Sequence, residues 1–358
     1  MPISLDKICL SPDSPIRQAV ACMNQGEKGI VLVTDDHGRL LDTVVDGDVR
    51  RALLSGIDFN GPLSDLLQSK NRFSGTTPVT APQGSDKREL ITIMKKYKVR
   101  QLPLVDEHGQ VVDLVTEGDL LPSNETQLQA MVMAGGLGMR LRPLTEDCPK
   151  PLLPVGDTTL LGHILEQLKQ SGVRRVNLST YYMADKIRER FGDGRDYGVE
   201  LSYLNEDRPL GTAGALGLME TPSSPLLIIN GDILTQVDFK AMLQFHQEHQ
   251  ALLTVGVRQY DVNVPFGVLQ CQGEIVRGLE EKPVYKFFVN AGVYLMEPDA
   301  QGLIKQGEHL DMTDLIERLL TKGKKVVSFP IIEYWLDVGN PSDYQQAQED
   351  AQNGKLNP

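Results

Sequence analysis

Between Ala134 and Val155 the chain reads AGGLGMRLRPLTEDCPKPLLPV. Gly135, Gly136 and Gly138 directly follow the apolar run MVMA, where backbone N–H groups can turn toward an anion with no Cβ in the way. Arg140 and Lys150 add fixed positive charge, and Pro149 and Pro151 stiffen the chain around the lysine. With Ala134 at its entrance, the loop is a candidate phosphate cradle. It is not a P-loop, which needs G-x-x-x-x-G-K-[ST]. It is not the dinucleotide fingerprint either, since Leu141 holds the third glycine position. A glycine-rich turn with surface cations is the plainer alternative, and the paired Arg and Lys weigh against it. Asp232 follows the apolar run LLIIN, at the strand end where open α/β sheets bind ligands. It could instead cap the next helix, but Asp238, immediately before FKAML, is better placed for that.

The elements that must position these groups alternate. TLLGHILEQLKQ has Leu160, Leu161, Ile164, Leu165 and Leu168 on one helical stripe, stopped by Gly172. VRRVNLS, VELSYL, LLIIN and ALLTVGV read as strands, with DFKAMLQFHQEH as a helix between the last two. This alternation predicts an α/β fold with a mixed, mostly parallel, Rossmann-like sheet covered by helices on both faces. The sparse apolar content of QQAQEDAQNGKLNP predicts a fraying helix and tail.

Residues 1–121 contain a repeat at an offset of 71, which aligns Asp35/Asp106, His37/His108, Gly38/Gly109, Asp42/Asp113, Val44/Val115 and Gly47/Gly118. Each copy reads as a helix ending near Gly26 or Tyr97, two strands joined by a His-Gly turn, and a Gly-Asp helix start. Two copies imply a paired module, 1–60 and 61–121, not a solenoid. The polar segment 122–129 reads as a linker, and 130–358 as the second region.

The loop segment resembles the signature of the sugar-phosphate nucleotidyltransferases, a family that includes mannose-1-phosphate guanylyltransferases and glucose-1-phosphate thymidylyltransferases. LGTAGAL (210–216), NGD (230–232), PFGV (265–268), EEKP (280–283), NAGVY (290–294) and WLDVGNP (335–341) follow in the family's order. The resemblance implies joining of a nucleoside triphosphate to a sugar 1-phosphate with release of pyrophosphate. It implies Mg²⁺ held by Asp232 and Asp337, with Arg140, Lys150 and Asp232 catalytic. It places nucleotide contacts at Ala134, Gly135, Gly136, Gly138, Glu206, Leu210, Gly211 and Thr212, those of 210–214 through backbone groups. Sugar phosphate contacts fall to Gly267, Glu281, Lys282 and Asn290, although Glu and Lys beside Pro283 could equally form a solvated turn. Met139 replaces the family's usual Thr, so a hydroxyl near the phosphates is missing. PLGTAGAL favours GTP as donor; UTP, dTTP and CTP remain alternatives, as does an inactive nucleotide sensor.

The front repeats resemble a pair of CBS domains, which often bind adenine nucleotides. Thr116 and Asp119 match the family's ribose-contacting pattern; Val45 breaks it in the first copy, leaving Asp48. One regulatory nucleotide site, in the second copy, is therefore expected, together with homo-oligomer formation. His246 and His249 form an H-x-x-H without a third ligand and read as a solvated helix face, not a metal site.

A formal net charge of −12 argues against nucleic acid or an anionic membrane surface as partner. Four scattered cysteines imply reduced thiols. No apolar stretch approaches eighteen residues, and the start lacks a signal-peptide pattern, so a cytoplasmic protein is expected.

Overall fold

The computed structural model describes residues 5–26, 28–74, 77–120 and 128–356. The chain divides into two compact units, residues 1–124 and 125–358.

In the first unit the repeat is written into the backbone. Helices Ile16–Gly26 and Lys87–Tyr97 begin and end 71 residues apart. The same holds for the strands β2 (Ile30–Thr34) and β5 (Gln101–Val105), and for β3 (Leu40–Val45) and β6 (Val111–Thr116). Each copy forms a three-stranded sheet, opened by β1 (Cys9–Leu10) or β4 (Ala81–Pro82) pairing parallel with the next strand. Asp35 and Asp106 make the turns, each accepting two backbone N–H groups while Gly38 and Gly109 sit at φ +76°. The copies meet along these turns: Leu40 N–H bonds Gly109 O, and Val111 N–H bonds Gly38 O.

The segment expected as a linker, 122–129, lies outside the described residues over 122–127. Its last two positions are not linker: Leu128 is buried, and Gln129 opens β7 (Gln129–Met133).

Around β7 the second unit builds a seven-stranded sheet. After the short β8 (Pro154–Val155) and β9 (Thr158–Thr159) come β10 (Arg175–Thr180), β11 (Glu200–Asn205), β12 (Leu226–Asn230) and β13 (Ile233–Thr235). The long β14 (Leu253–Asn263) and β17 (Val284–Met296) enclose the hairpin β15 (Val268–Gln272) and β16 (Ile275–Glu280); β18 (Val326–Pro330) and β19 (Trp335–Asp337) follow. The sheet order is β11-β10-β7-β12-β17-β14-β18, with β17 antiparallel to its neighbours and the other strands mutually parallel.

Successive residues of the strands feed opposite cores. Ala130, Val132, Leu227 and Ile229 face one side, under helices Leu160–Gln170 and Phe239–Glu248. Met131, Leu226 and Ile228 face the other, under helix Met312–Thr321. A strand buried on both faces needs apolar residues throughout, which is why LLIIN and AMVM carry no polar alternation. Each such buried Leu or Ile contributes about 1.5–3 kcal/mol.

Two expectations are corrected. His246 is not on a solvated face: it is fully buried, its ring nitrogens bonded to Thr254 Oγ1 at 2.7 Å and Glu297 Oε1 at 3.1 Å. The C-terminal segment does not fray from Pro341 to Gln352, where it forms a helix with Ala347 and Asp350 buried. Tyr344 and Gln348 tie that helix to Pro154 O. Its few apolar residues are the ones that dock: Ala347 is buried with Leu153, Val155 and Leu160, and Tyr344 and Ala351 pack against that cluster beside the hydrogen bonds. Among the described residues no helix is long and apolar enough to cross a membrane, and no disulfide joins the four cysteines.

Candidate active site

From β7 the chain moves through β10 to β11 on one side, then returns to place β12 on the other. The carboxyl ends of β7 and β12 therefore flank a topological switch point, the place where open α/β sheets bind ligands. The glycine loop leaves β7 there and NGD leaves β12 there. Gly231 N–H bonds Met133 O at 2.9 Å, and a Cβ at Gly231 would meet that oxygen at 2.7 Å. Only glycine lets the two strand ends close up. Asp232 does not cap the next helix, since Asp238 accepts the N–H groups of Lys240 and Ala241.

The loop is pinned from below. Ala134 N–H bonds Ser179 O, Thr145 Oγ1 donates to Gly138 O, and Gly138 takes φ +63° with a Cβ position 2.9 Å from Thr145. Gly136 has nothing within 4 Å of its Cβ position, so open space faces it. Gly135 lies against Glu206, whose oxygen would meet a Cβ at 2.9 Å.

Lys150, in a short 3₁₀ turn entered through Pro149, is buried and reaches Asp232 Oδ2 at 2.5 Å. β13 and β19 pair antiparallel with Ile233 opposite Asp337, and Val338 N–H bonds Asp232 O at 3.0 Å. Of the two carboxylates expected to hold a metal, Asp232 thus immediately precedes β13 and Asp337 ends the neighbouring β19. Partial burial lifts the Asp337 pKa above the ordinary carboxylate value; the Asp232 charge lifts it further, while Lys150 and Arg140 oppose. Because Asp337 keeps solvent contact at the surface, the repulsion from Asp232 is the cause that bears on chemistry. Arg140 comes within 3.6 Å of the Cβ position of Gly339. Arg140, Lys150, Asp232 and Asp337, far apart in sequence, are one electrostatic cluster.

The last motif also explains itself. Asn340 caps helix Pro341–Gln352 through the N–H groups of Ser342 and Asp343, and Asp343 accepts from Gly339 and Asn340 in return. Trp335 Nε1 donates to Ala291 O at 2.8 Å, joining the strand of Asp337 to the NAG segment.

Leu210–Gly214 is tied into its surroundings. The N–H of Leu210 bonds Glu206 Oε2, that of Thr212 bonds Asp311 Oδ1, and those of Ala213 and Gly214 bond Leu310 O. These four backbone donors are spent inside the protein. The glycines serve close approach: Gly211 at φ +78° lies 2.6 Å, and Gly214 2.4 Å, from carbonyl oxygens of Leu310 and Glu308, measured at their Cβ positions. Glu206 is likewise a brace, bonded also by Ser179. Asp311 was missed in the sequence; its D-x-x-D cap pattern before MTDLIERLL was the available signal.

Gly267, Glu281, Lys282 and Asn290 are exposed along the outer ribbon of β14–β17. Gly267 faces Glu281 closely, 2.9 Å from its carboxylate at the Cβ position. Lys282 adopts φ +46°. Asn290 accepts from Gly292 N–H at 3.0 Å. Burial pushes the Tyr294 phenol up to about 12, opposed by its hydrogen bond with Asn290.

In the first unit Thr116 and Asp119 do meet, but each holds the other. Thr116 donates its N–H and hydroxyl to Asp119, and Lys28 from the first repeat donates to the same carboxylate at 3.1 Å. These bonds depress the Asp119 pKa, the Thr116 hydroxyl first. Asp48 is held by Arg51, with Lys70 bridging it to Asp42.

Residues 129–354 match the family model described as nucleotidyl transferase. The chain belongs to the nucleotidyl transferase family. Residues 3–55 and 73–123 match the CBS domain model. A mannose-1-phosphate guanylyltransferase of Mycobacterium tuberculosis is 30% identical over 64% of this chain and 66% of its own length. The chain thus spans just under two thirds of that relative. A solved Bacillus anthracis protein described as a glucose-1-phosphate thymidylyltransferase, in complex with a sucrose, superimposes with TM-score 0.52. It is 26% identical and covers 64% of this chain and 99% of its own. HddC from Yersinia pseudotuberculosis, complexed with GMP-PN, gives TM-score 0.50 at 25% identity, over 62% and 98% of the two chains.

Proposed function

We propose that this chain joins a nucleoside monophosphate from GTP to a sugar 1-phosphate, releasing pyrophosphate. The observation that carries the reading is the Lys150–Asp232–Asp337–Arg140 cluster beside the glycine loop at the switch point. A sugar phosphate oxygen attacks the α-phosphorus; the new P–O bond forms as the bond to the β-phosphate oxygen breaks, and pyrophosphate leaves with its electron pair. No covalent intermediate on the protein is needed, so catalysis is positioning plus charge stabilisation.

Arg140 and Lys150 lie where they would stabilise triphosphate charge. The open side of Gly136 leaves room for phosphate approach. Lys282, exposed between the β15–β16 hairpin and β17, would orient the attacking phosphate, with Glu281, Asn290 and Gly267 around the sugar. Asp232 and Asp337 form an all-oxygen donor pair whose mutual repulsion a cation relieves, and Mg²⁺ is commonly held by one or two carboxylates plus phosphates. Asp232 and Asp337 would hold Mg²⁺, which would supply positive charge to offset that developing on the leaving group.

Support for guanine comes from the mycobacterial guanylyltransferase and the GMP-PN complex; the thymidylyltransferase-like neighbour favours another base. The product would be a GDP-hexose or GDP-hexosamine. Nucleotide binding to the CBS pair is proposed as regulation. Pyrophosphate release across four triphosphates and a panel of sugar 1-phosphates, with and without excess EDTA, tests the reading. UTP or dTTP outperforming GTP tenfold would overturn the base, and full activity in EDTA would overturn the metal.

A further inference from the structure

Lys150 and Asp232 satisfy each other. Nζ lies 2.5 Å from Oδ2, with the lysine side chain 11% exposed and the aspartate side chain 27%. The backbone under the lysine is fixed, flanked by Pro149 and Pro151 and closed by the bonds of Leu152 N–H to Pro149 O and Leu153 N–H to Lys150 O. Only the four-carbon stem is free to swing, and it carries a compact charge on rotatable bonds.

The cluster is balanced by its own side chains: two carboxylates, Asp232 and Asp337, face two cationic groups, Arg140 and Lys150. A divalent cation bound there alone would leave two positive charges in excess. It would also share the Asp232 carboxylate with an ammonium already at hydrogen-bond distance. To relieve that repulsion Lys150 must leave, and a mostly buried ammonium stripped of its only carboxylate at this distance is costly. A triphosphate changes both sides of the balance, since it adds negative charge and offers the ammonium new oxygen partners.

We infer, on the metal assignment proposed above, that Lys150 is an internal competitor of the divalent cation for Asp232, so that the nucleotide-free protein binds metal weakly. The lysine thereby acts on the metal site as well as on phosphate.

Binding of Mn²⁺ alone to the full chain, followed by electron paramagnetic resonance of free Mn²⁺, tests it. Lys150→Met should bind Mn²⁺ on the order of tenfold more tightly than wild type, or better. The gain should vanish in Lys150→Met/Asp232→Asn, which lacks the contested carboxylate. Lys186→Met removes an equal charge, but from an exposed ammonium that bonds Asp147 O, and should stay within about twofold of wild type because solvent and salt screen it. If Lys150→Met does not fold, Lys150→Gln, which keeps a hydrogen-bond donor and loses the charge, replaces it under the same criteria. Suppose that Asp232→Asn and Asp337→Asn each weaken Mn²⁺ binding while loss of the Lys150 charge does not tighten it, or Lys186→Met tightens it equally. The metal assignment then stands and the competition is overturned. Mn²⁺ binding unchanged in both Asp232→Asn and Asp337→Asn overturns the metal assignment, and the competition with it.

Discussion

The two halves of the proposed site are built differently. On the triphosphate side, Lys150 is buried against Asp232, the glycine loop is pinned by Thr145 and Ser179, and Leu210–Gly214 is bonded to Leu310 and Asp311. On the sugar side, Gly267, Glu281, Lys282 and Asn290 stand exposed along a ribbon with few neighbours. The part that must hold geometry while a P–O bond breaks is braced into the sheet, where a shift of about 1 Å can cost a hundredfold. The part that must fit one sugar among several lies on an element that can change without disturbing the core. Reaction class and specificity are thus placed on regions of different stiffness.

The contrast predicts that changes on the braced side are large and coupled to stability. Asp232→Asn should lower turnover a hundredfold or more, because the amide binds a cation poorly and removes the ion-pair partner of Lys150. Steady-state pyrophosphate release with circular dichroism as a fold control measures this; full turnover would remove Asp232 from the mechanism. Gly214→Ala, though it removes no chemical group, would place a methyl 2.4 Å from Glu308 O. It should cost about 1–3 kcal/mol of stability, read by denaturant unfolding, with KM for the nucleotide raised. Unchanged stability would mean that the seam to 308–311 is not what those glycines serve. The same seam carries a pH signature. The Arg318 hydrogen bond holds the Glu308 pKa down at about 2. A depressed carboxylate contributes its stability above its unfolded value, and that contribution is lost as pH falls toward about 2. Arg318→Ala should therefore flatten the acid limb of the stability–pH curve between those values.

Much of the braced half was legible in the sequence, because a glycine after a strand, a proline-flanked lysine and an acid at a strand end are local signals. Asp238 over Asp232 as the cap is a case where local reading sufficed. What was not legible is what long-range packing decides. LGTAGAL reads as backbone offered to a ligand, yet its donors are taken by residues a hundred positions later. HQEHQ looks solvated from composition, but Thr254 and Glu297, which satisfy the buried His246, lie on other elements. The C-terminal helix is polar and still docks, because Ala347 and Ala351 meet an apolar cluster and Tyr344 and Gln348 find a carbonyl that no pattern announces.

On the sugar side the effects should be smaller and separable from stability. Lys282→Ala should raise KM for the sugar 1-phosphate by on the order of tenfold, consistent with loss of one charged hydrogen bond worth about 1.5–3 kcal/mol at most. Its stability should stay within about 0.5 kcal/mol of wild type, as for exposed substitutions generally. Kinetics with both substrates varied, beside thermal unfolding, would show it. A large fall in stability, or a change only in nucleotide KM, would erase the distinction between the halves.

The front module repeats the contrast on a smaller scale, and there the expected effect is least. Asp119 in the second repeat is the proposed ribose contact, but Thr116 and Lys28 already bond its carboxylate. Lys28 is partly exposed and Asp119 more so, so the ion pair between them contributes at most about 1 kcal/mol. Lys28→Met should thus barely change unfolding while releasing one competitor for the Asp119 carboxylate. If a nucleotide binds through that carboxylate, its affinity should rise a few-fold, which calorimetry on the full chain with AMP, ATP, GMP and GTP would detect. Weaker binding would mean that Lys28 contacts the nucleotide phosphate directly, and the bond to Asp119 would then be a resting position. Unchanged affinity would place the ligand elsewhere, with the Asp48–Lys70–Asp42 cluster the next position to mutate.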